Sequence, residues 1–464
     1  MTKRTELPIV VVMGATGTGK SKLSIELAQK FNGEIINADS LQVYKGLDIV
    51  TNKVTREELD MVPHHLIDFL DPLTPMTVVD YRNRALEVID RLFDQNKIPV
   101  IVGGTQYYIE SLLYDVLIDA DKVKKEDFLF NQDKKQQINI SQTESDVNHE
   151  NIFSNPILMS SFREVSSPHL HAILTVLDAE SASVLHPNEK RKIIRALQVM
   201  QRNNGKTYSS LLQEQQSKSG GSSLGGPLRF AKTIIFWTHT QEDLLNKRLD
   251  DRVDDMLSNG LIQELQDFYE KYADARIERG FKPDYSEGIF QAIGFKDFHN
   301  YLILEERKRT KRLLEDCLYD MKVQTRKYAK KQMKFIRNRM IEATDRQVPP
   351  IFLLDSSKPE EWNEVVRDKA FQILHSFMTQ QSFPIDLQPL NNLPQTHKNI
   401  DRKTIKRCDI CDKVLQGDQQ WAAHVSSKGH KALSKIKTKE LHNNSSSVSK
   451  ELYSKNVAIN SLES

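Results

Sequence analysis

One octapeptide, Gly14-Ala15-Thr16-Gly17-Thr18-Gly19-Lys20-Ser21, constrains this chain more than any other segment. It follows the apolar, β-branched run 7–13 and leads into residues 22–31, whose pattern is helical. G-x-x-x-x-G-K-[ST] between a buried strand and a helix is a phosphate-binding loop. Its glycines let the backbone curl so that successive N–H groups converge on anionic oxygens, and the helix N-terminus adds positive partial charge. Lys20 supplies a point charge, and the Ser21 hydroxyl suits Mg²⁺. Further strands at 34–38 and 98–102, the latter preceded by an amphipathic stretch at 81–96, predict an α/β fold with a doubly wound parallel sheet.

The motif specifies a diphosphate rather than ATP hydrolysis. A nucleotide-hydrolysing relative would carry an apolar strand ending in Asp, which helps to hold Mg²⁺. Here the strand 98–102 runs into Gly103-Gly104-Thr105. The acid comes from the other strand, 34–38, which ends in Asp39 followed by Ser40-Leu41-Gln42. That puts one carboxylate at the carboxyl edge of the sheet, where α/β proteins bind ligands. There it can ligate metal or accept a proton, or else only cap a loop.

The 464 residues, at roughly 100–200 per domain, allow two to four folding units. Residues 1–119 read as the first part of the P-loop core and 120–205 as an insertion with a helical region. Its segment 120–155 is polar and predicted to be a partly flexible surface insertion; helical patterns resume near 168 and run to about 201. Residues 206–378 read as the second part of the core, with a Gly/Ser-rich loop at 217–227, strands at 231–237 and 350–354, and a closing helix at 361–378. A linker is expected at 379–403, a small module at 404–438 and a disordered tail at 439–464.

The net charge is only +2, but thirteen Lys or Arg against three acids lie between 307 and 339. Such a stripe suits a polyanion, or is the solvated face of a helix. No run reaches the ~20 apolar residues of a membrane span. No signal peptide is expected, since the first strand begins within about seven residues of Met1, and three cysteines make no disulfide framework. A cytoplasmic chain is expected, with mitochondrial and nuclear pools allowed for, and Cys317 is expected to be an inert buried thiol.

Cys408-x2-Cys411-x12-His424-x5-His430 is a two-Cys, two-His signature for one structural Zn²⁺. So small a unit needs the metal to fold. Trp421 sits at a plausible core position, and Lys428, Lys431, Lys435 and Lys437 make its helical side basic. The long His–His gap resembles RNA-type fingers such as the matrin kind, with protein contact as the other reading. His64-His65 has no supporting acid or cysteine spacing and is not expected to hold metal.

Taken in order, segments 14–21, 39–48, 63–65, 103–107, 186–189 with 191–197, 252–257, 294–296 and 325–326 with Gln332 resemble the tRNA dimethylallyltransferase (isopentenyltransferase) family over about 8–339. The finger resembles that of eukaryotic members. The resemblance implies a P-loop parallel-sheet core with a helical insertion domain and a small C-terminal zinc finger. It implies transfer of a dimethylallyl group from dimethylallyl diphosphate to the exocyclic amine of the adenosine immediately 3′ of the anticodon, with Mg²⁺ as cofactor and a monomer as the working form. The P-loop, Gly14 to Ser21, would cradle the donor together with Arg252. Asp39 would be the general base, and Thr105 would line the reaction channel. Asp39, Ser40, Leu41, Gln42 and Thr105, and Arg191, Lys192, Ile193, Ile194 and Arg195, would contact the tRNA anticodon stem-loop. The segment 120–155 follows no family pattern. An adenylate isopentenyltransferase acting on free adenine nucleotides is the alternative, but a free nucleotide needs neither the finger nor the basic stripe. A non-catalytic RNA-binding protein is disfavoured by intact Lys20, Ser21, Asp39, Thr105 and Arg252.

Overall fold

The structure, a computed structural model, describes residues 7–115, 147–153, 157, 162, 165–217, 219–222, 224–278, 285, 288–343, 346–390 and 404–437. The expected polar insertion up to residue 146 and the expected tail after 437 lie outside the described residues. Two compact units separate: residues 7–115 with 215–390, and residues 147–214 with 404–437.

The first strand, β1 (Ile9–Gly14), is buried at every position and delivers the chain to the P-loop. Helix α1 (Lys20–Lys30) starts on the P-loop lysine and buries Leu23 and Leu27. Strand β2 (Gly33–Asn37) follows; then come α2 (Arg56–Met61), the short β3 (His64–His65) and α3 (Val78–Asp94). Both α2 and α3 open on capping boxes, Thr55 with Glu58 and Thr77 with Asp80. Strand β4 (Ile98–Val102) leads to α4 (Gln106–Leu113). Helices α5 (Ser167–Leu177), α6 (Ala179–Val184), α7 (Lys190–Arg202) and α8 (Tyr208–Ser217) come next. The core resumes with β5 (Thr233–His239), α9 (Glu242–Ser258), α10 (Leu261–Glu278), α11 (His299–Leu302), the 26-residue α12 (Lys311–Ile336), β6 (Ile351–Asp355) and α13 (Lys369–Met378). The finger adds β7 (Ile405–Cys408), β8 (Lys413–Gln416) and α14 (Gly417–Ser426).

The six-stranded sheet has the order β3-β2-β4-β1-β5-β6, with every pairing parallel. Alternate residues of β1 enter opposite layers. Ile9, Val11 and Met13 join Tyr81, Ile89 and Leu92 of α3 and Ile109 and Leu112 of α4. Val10 and Val12 join Leu23 and Leu27 of α1 and Ile373 and Leu374 of α13. A parallel sheet covered on both faces needs such continuous apolar strands. Each fully buried Ile, Leu or Val contributes on the order of 1.5–3 kcal/mol.

The stretch expected as one closing helix is broken. A wide π-type turn, Asn363–Asp368, precedes α13 and follows Trp362, and both Trp362 and Val366 lie in the core. The chain also stays packed past 379: Phe383 meets the ring of Phe352 edge-on at 4.8 Å, and Leu387 is buried. Along α12 the basic stripe divides. Lys322, Arg326 and Lys330, at four-residue spacing on α12, pair with Asp254, Asp250 and Glu242 on α9. Cys317 is buried, and burial pushes its thiol up.

In the second unit, Leu170 and Leu174 of α5 pack on Ile193, Ile194, Leu197 and Met200 of α7. Val147 and Ile152 join this core, so the end of the expected polar insertion is structured and partly apolar. The finger belongs to the same unit. Gln416 Nε2 donates to the Val184 carbonyl at 2.9 Å, and His186 Nε2 lies 3.1 Å from the Val414 carbonyl oxygen. These bonds hold its hairpin on the α6–α7 connection.

Candidate active site and metal centre

The P-loop, Asp39 and the Gly103–Thr105 turn follow β1, β2 and β4, neighbours in the sheet, so their carboxyl ends meet at one edge. There a cavity of about 590 Å³ is lined by Thr16, Gly17, Gly19, Lys20, Ser21, Asp39 and Arg252, among others. Among its described lining residues, Asp39 is the one carboxylate, against Lys20, Lys22, Arg252, Lys296, Lys327 and Lys331. One acid among six cations is a site for a polyanion.

The loop's glycines answer local demands. Gly19 has φ 82°, and a Cβ there would lie 2.6 Å from the Trp362 ring. A Cβ on Gly104 would meet Gln332 Nε2 at 2.5 Å. Gly19 also caps α1 without a side-chain bond, leaving the first helical N–H groups to a ligand. Gly14 and Ala15 are buried, and the buried Thr18 hydroxyl donates to the Ala15 carbonyl at 2.8 Å. These three shape the loop, while Ser21 at its end is exposed.

Lys20 Nζ donates to the Ala15 carbonyl at 2.8 Å. Burial lowers its pKa to about 8, Asp39 pulling it back up and Arg252 pushing it down. Asp39 Oδ1 accepts from the Leu41 N–H at 3.0 Å. Burial raises the Asp39 carboxyl above the usual range, against the Leu41 N–H and the Lys20 charge. Arg252 Nη1 donates to Thr16 Oγ1 at 2.9 Å, while its buried Nε has no protein partner. Burial lowers this guanidinium to about 10, still charged at neutral pH. A buried N–H on a cation at the cavity wall is a site for an anionic oxygen.

The Thr105 hydroxyl is engaged with the loop after β2 rather than lining the cavity. Its Oγ1 accepts from the Ser40 N–H at 2.9 Å and donates to Ser40 Oγ at 3.1 Å. It therefore positions the Asp39 loop. Ser40, Leu41 and Gln42 line the cavity, and the Gln42 amide holds the Thr51 and Asn52 carbonyls.

Helix α12 contributes residues to which no role had been assigned from sequence. The buried Gln332 accepts the Thr16 N–H at 2.8 Å and donates to the Gly104 carbonyl at 3.0 Å, joining the P-loop to the β4–α4 turn. The Tyr328 hydroxyl reaches the same carbonyl at 3.3 Å; burial and then Asp39 raise its pKa, so it stays a donor. The legible signal was a glutamine in the buried stripe Cys317, Met321, Thr325, Ala329, Gln332, Ile336. Trp362 had no such signal: it packs against Gly19 from far along the chain.

In the second unit Arg191, Lys192 and Arg195 are exposed, whereas Ile193 and Ile194 are core residues. The two isoleucines are corrected to a packing role, because the amphipathic α7 turns their side chains into the core. His65 Nε2 pairs with Glu34 at 2.6 Å, and His64 Nδ1 lies 2.8 Å from the Val62 carbonyl oxygen.

The ligand atoms of Cys408, Cys411, His424 and His430 all lie within 4.8 Å of one another. His430 Nδ1 is 3.6 and 3.5 Å from the two sulfurs and 3.1 Å from His424 Nε2. A zinc tetrahedron with ordinary bond lengths has S–N edges of about 3.5 Å, so these four residues fit Zn²⁺. Trp421 is half-buried against His424.

A parallel sheet carrying a P-loop after β1, with Asp39 at the end of β2 on the same sheet edge and a cationic cavity there, defines a P-loop protein built to hold a phosphorylated ligand. Residues 42–339 match the IPP transferase family, 7–73 the isopentenyl transferase family, and 406–431 a double-stranded RNA-binding zinc-finger family. The chain is 40% identical to a tRNA dimethylallyltransferase of Homo sapiens, over 91% of this chain and 85% of that protein. With the Saccharomyces cerevisiae enzyme of that name it shares 31% identity, over 93% of each. A solved eukaryotic dimethylallyltransferase acting on tRNA superposes with a TM-score of 0.74 at 30% identity, over 95% of this chain and 99% of that one. The chain belongs to the IPP transferase family, among the tRNA dimethylallyltransferases.

Proposed function

We propose that this chain transfers a dimethylallyl group from dimethylallyl diphosphate to the exocyclic amine of the adenosine immediately 3′ of the anticodon in tRNA, releasing diphosphate. The observation that carries this reading is the meeting of the P-loop, Asp39 and Arg252 around one cavity, where Asp39 is the one carboxylate among the described lining residues. Lys20, the Arg252 guanidinium and the free N–H groups of α1 hold the donor's diphosphate. As the allylic carbon–oxygen bond breaks, its electron pair leaves with diphosphate, and the same groups stabilise the growing negative charge. The adenine nitrogen attacks the allylic carbon, and Asp39 accepts the proton released as the carbon–nitrogen bond forms. A base within a stacked loop is out of reach, so the acceptor adenine has to be flipped into the cavity.

Bound at the exposed Ser21 hydroxyl, Mg²⁺ would neutralise diphosphate charge. Zn²⁺ on Cys408, Cys411, His424 and His430 would fold the finger, whose Lys428, Lys431, Lys435 and Lys437 suit an RNA backbone. The test is mass spectrometry after incubating purified chain and dimethylallyl diphosphate with an anticodon stem-loop or with free adenine nucleotides. One added prenyl unit on the stem-loop adenosine is expected. Prenylation of the free nucleotides alone would establish the alternative acceptor.

A further inference from the structure

Two residues beyond Thr105, the Tyr107 side chain is 61% exposed. It is not a loose surface aromatic. Its ring meets Phe335 of α12 edge-on, with centroids 4.8 Å apart at 75°. The Arg339 guanidinium lies 5.9 Å from the Tyr107 centroid and 5.3 Å from that of Phe335. Arg339 is itself fixed, donating to Glu110 Oε1 from Nε at 3.0 Å and from Nη2 at 2.8 Å. Glu110 lies one turn after Tyr107 on α4. One carboxylate thus staples α4 to the π-type turn Arg337–Ile341 that follows α12 and builds a rigid aromatic and cationic surface.

Its place gives it a partner. Lys327 and Lys331 line the cavity. Phe335 and Arg339 continue that row at four-residue spacing, and on the other side Gly103 and Gly104, which line the cavity, lead through Thr105 to Tyr107. Lys331, Lys334 and Arg337 beside it are exposed cations. Resting on the reading of tRNA as acceptor, we propose that Tyr107, Phe335 and Arg339 form a stacking platform for an unpaired base flanking the reacting adenosine. When that adenine flips inward, its neighbour loses a stacking partner, and an aromatic face beside a guanidinium restores the contact. A surface fixed beforehand loses little freedom on binding.

The test compares wild type with Tyr107→Ala and Tyr107→Phe on an anticodon stem-loop, and on the same RNA made abasic at each flanking position. Tyr107→Ala should raise the half-saturating RNA concentration about ten-fold or more, within the range of one lost aromatic–base stack. The half-saturating donor concentration should stay within about two-fold, and Tyr107→Phe, which keeps the ring, should resemble wild type. On one abasic RNA the difference between wild type and Tyr107→Ala should vanish. A 2-aminopurine at that position should be quenched by wild type and not by Tyr107→Ala. Equal half-saturation of wild type and Tyr107→Ala on intact RNA overturns the platform while leaving the acceptor reading intact. No transfer by wild type to any stem-loop overturns both.

Discussion

Asp39 and Lys20 share one cavity, and each answers the other's charge. Burial raises the acid and lowers the base, the pattern of a site whose groups are tuned for proton traffic and anion binding. The signs give a pH profile. The carboxylate accepts a proton only when ionised, so the rate should fall as pH drops through its raised pKa. The ammonium holds diphosphate only when protonated, so kcat/KM for the donor should fall as pH rises through about 8. That ratio reports the free enzyme. Lys20→Arg keeps its charge further into the alkaline range and should shift this high-pH limb upward; an unmoved limb would assign it to another group. Asp39→Ala should slow single-turnover transfer on the order of 100-fold or more while leaving tRNA binding largely intact. Transfer within a few-fold of wild type would remove Asp39 from the base role.

At the scale of an element, α12 is the organiser. One row of its side chains pairs with acids on α9, another lines the cavity, and a third is buried. Its charge pattern looks uniform in sequence because the α9 acids that neutralise Lys322, Arg326 and Lys330 lie 68, 76 and 88 residues earlier. Gln332 belongs to the buried row and ties two catalytic turns together. Removing it leaves the Thr16 N–H and the Gly104 carbonyl without that partner, at about 1–3 kcal/mol for each buried group. Gln332→Ala should therefore lower kcat/KM for the donor at least ten-fold. Gln332→Glu keeps an acceptor for Thr16, but sets a carboxylate against the Gly104 carbonyl and near Asp39, so it should be no better. Wild-type kinetics in Gln332→Glu would show that the bridge is dispensable.

Across the whole molecule, the finger is held on the helical unit. It should therefore present RNA contacts at a set place beside Arg191, Lys192 and Arg195. Deleting the chain from Thr404 onward should raise the tRNA concentration for half-maximal rate and change the saturated rate little. The lost affinity should be salt-sensitive, since phosphate contacts release counterions. Elemental analysis should find one zinc per chain, and chelation should reproduce the truncation. A collapsed saturated rate would place the finger within the catalytic fold, and an unchanged tRNA requirement would point to a protein partner.

What the sequence determined by itself was chemistry that is local in the chain. The P-loop, the acid after β2 and the four finger ligands each declare themselves within a few residues, because phosphate cradles and zinc tetrahedra impose fixed spacing. Strands β1, β2, β4, β5 and β6 were legible too, since a sheet buried on both faces demands unbroken apolar runs, whereas the two-residue β3 carries no such run. Tertiary structure alone decided which residues act on those groups from a distance. It turned Ile193 and Ile194 inward, gave Thr105 to Ser40, set Trp362 under Gly19, and paired Lys322, Arg326 and Lys330 of the basic stripe with α9. Side-chain direction and pairing depend on which elements pack together, and contacts across more than two hundred residues, such as Gln332 with Thr16, leave no periodic trace in sequence.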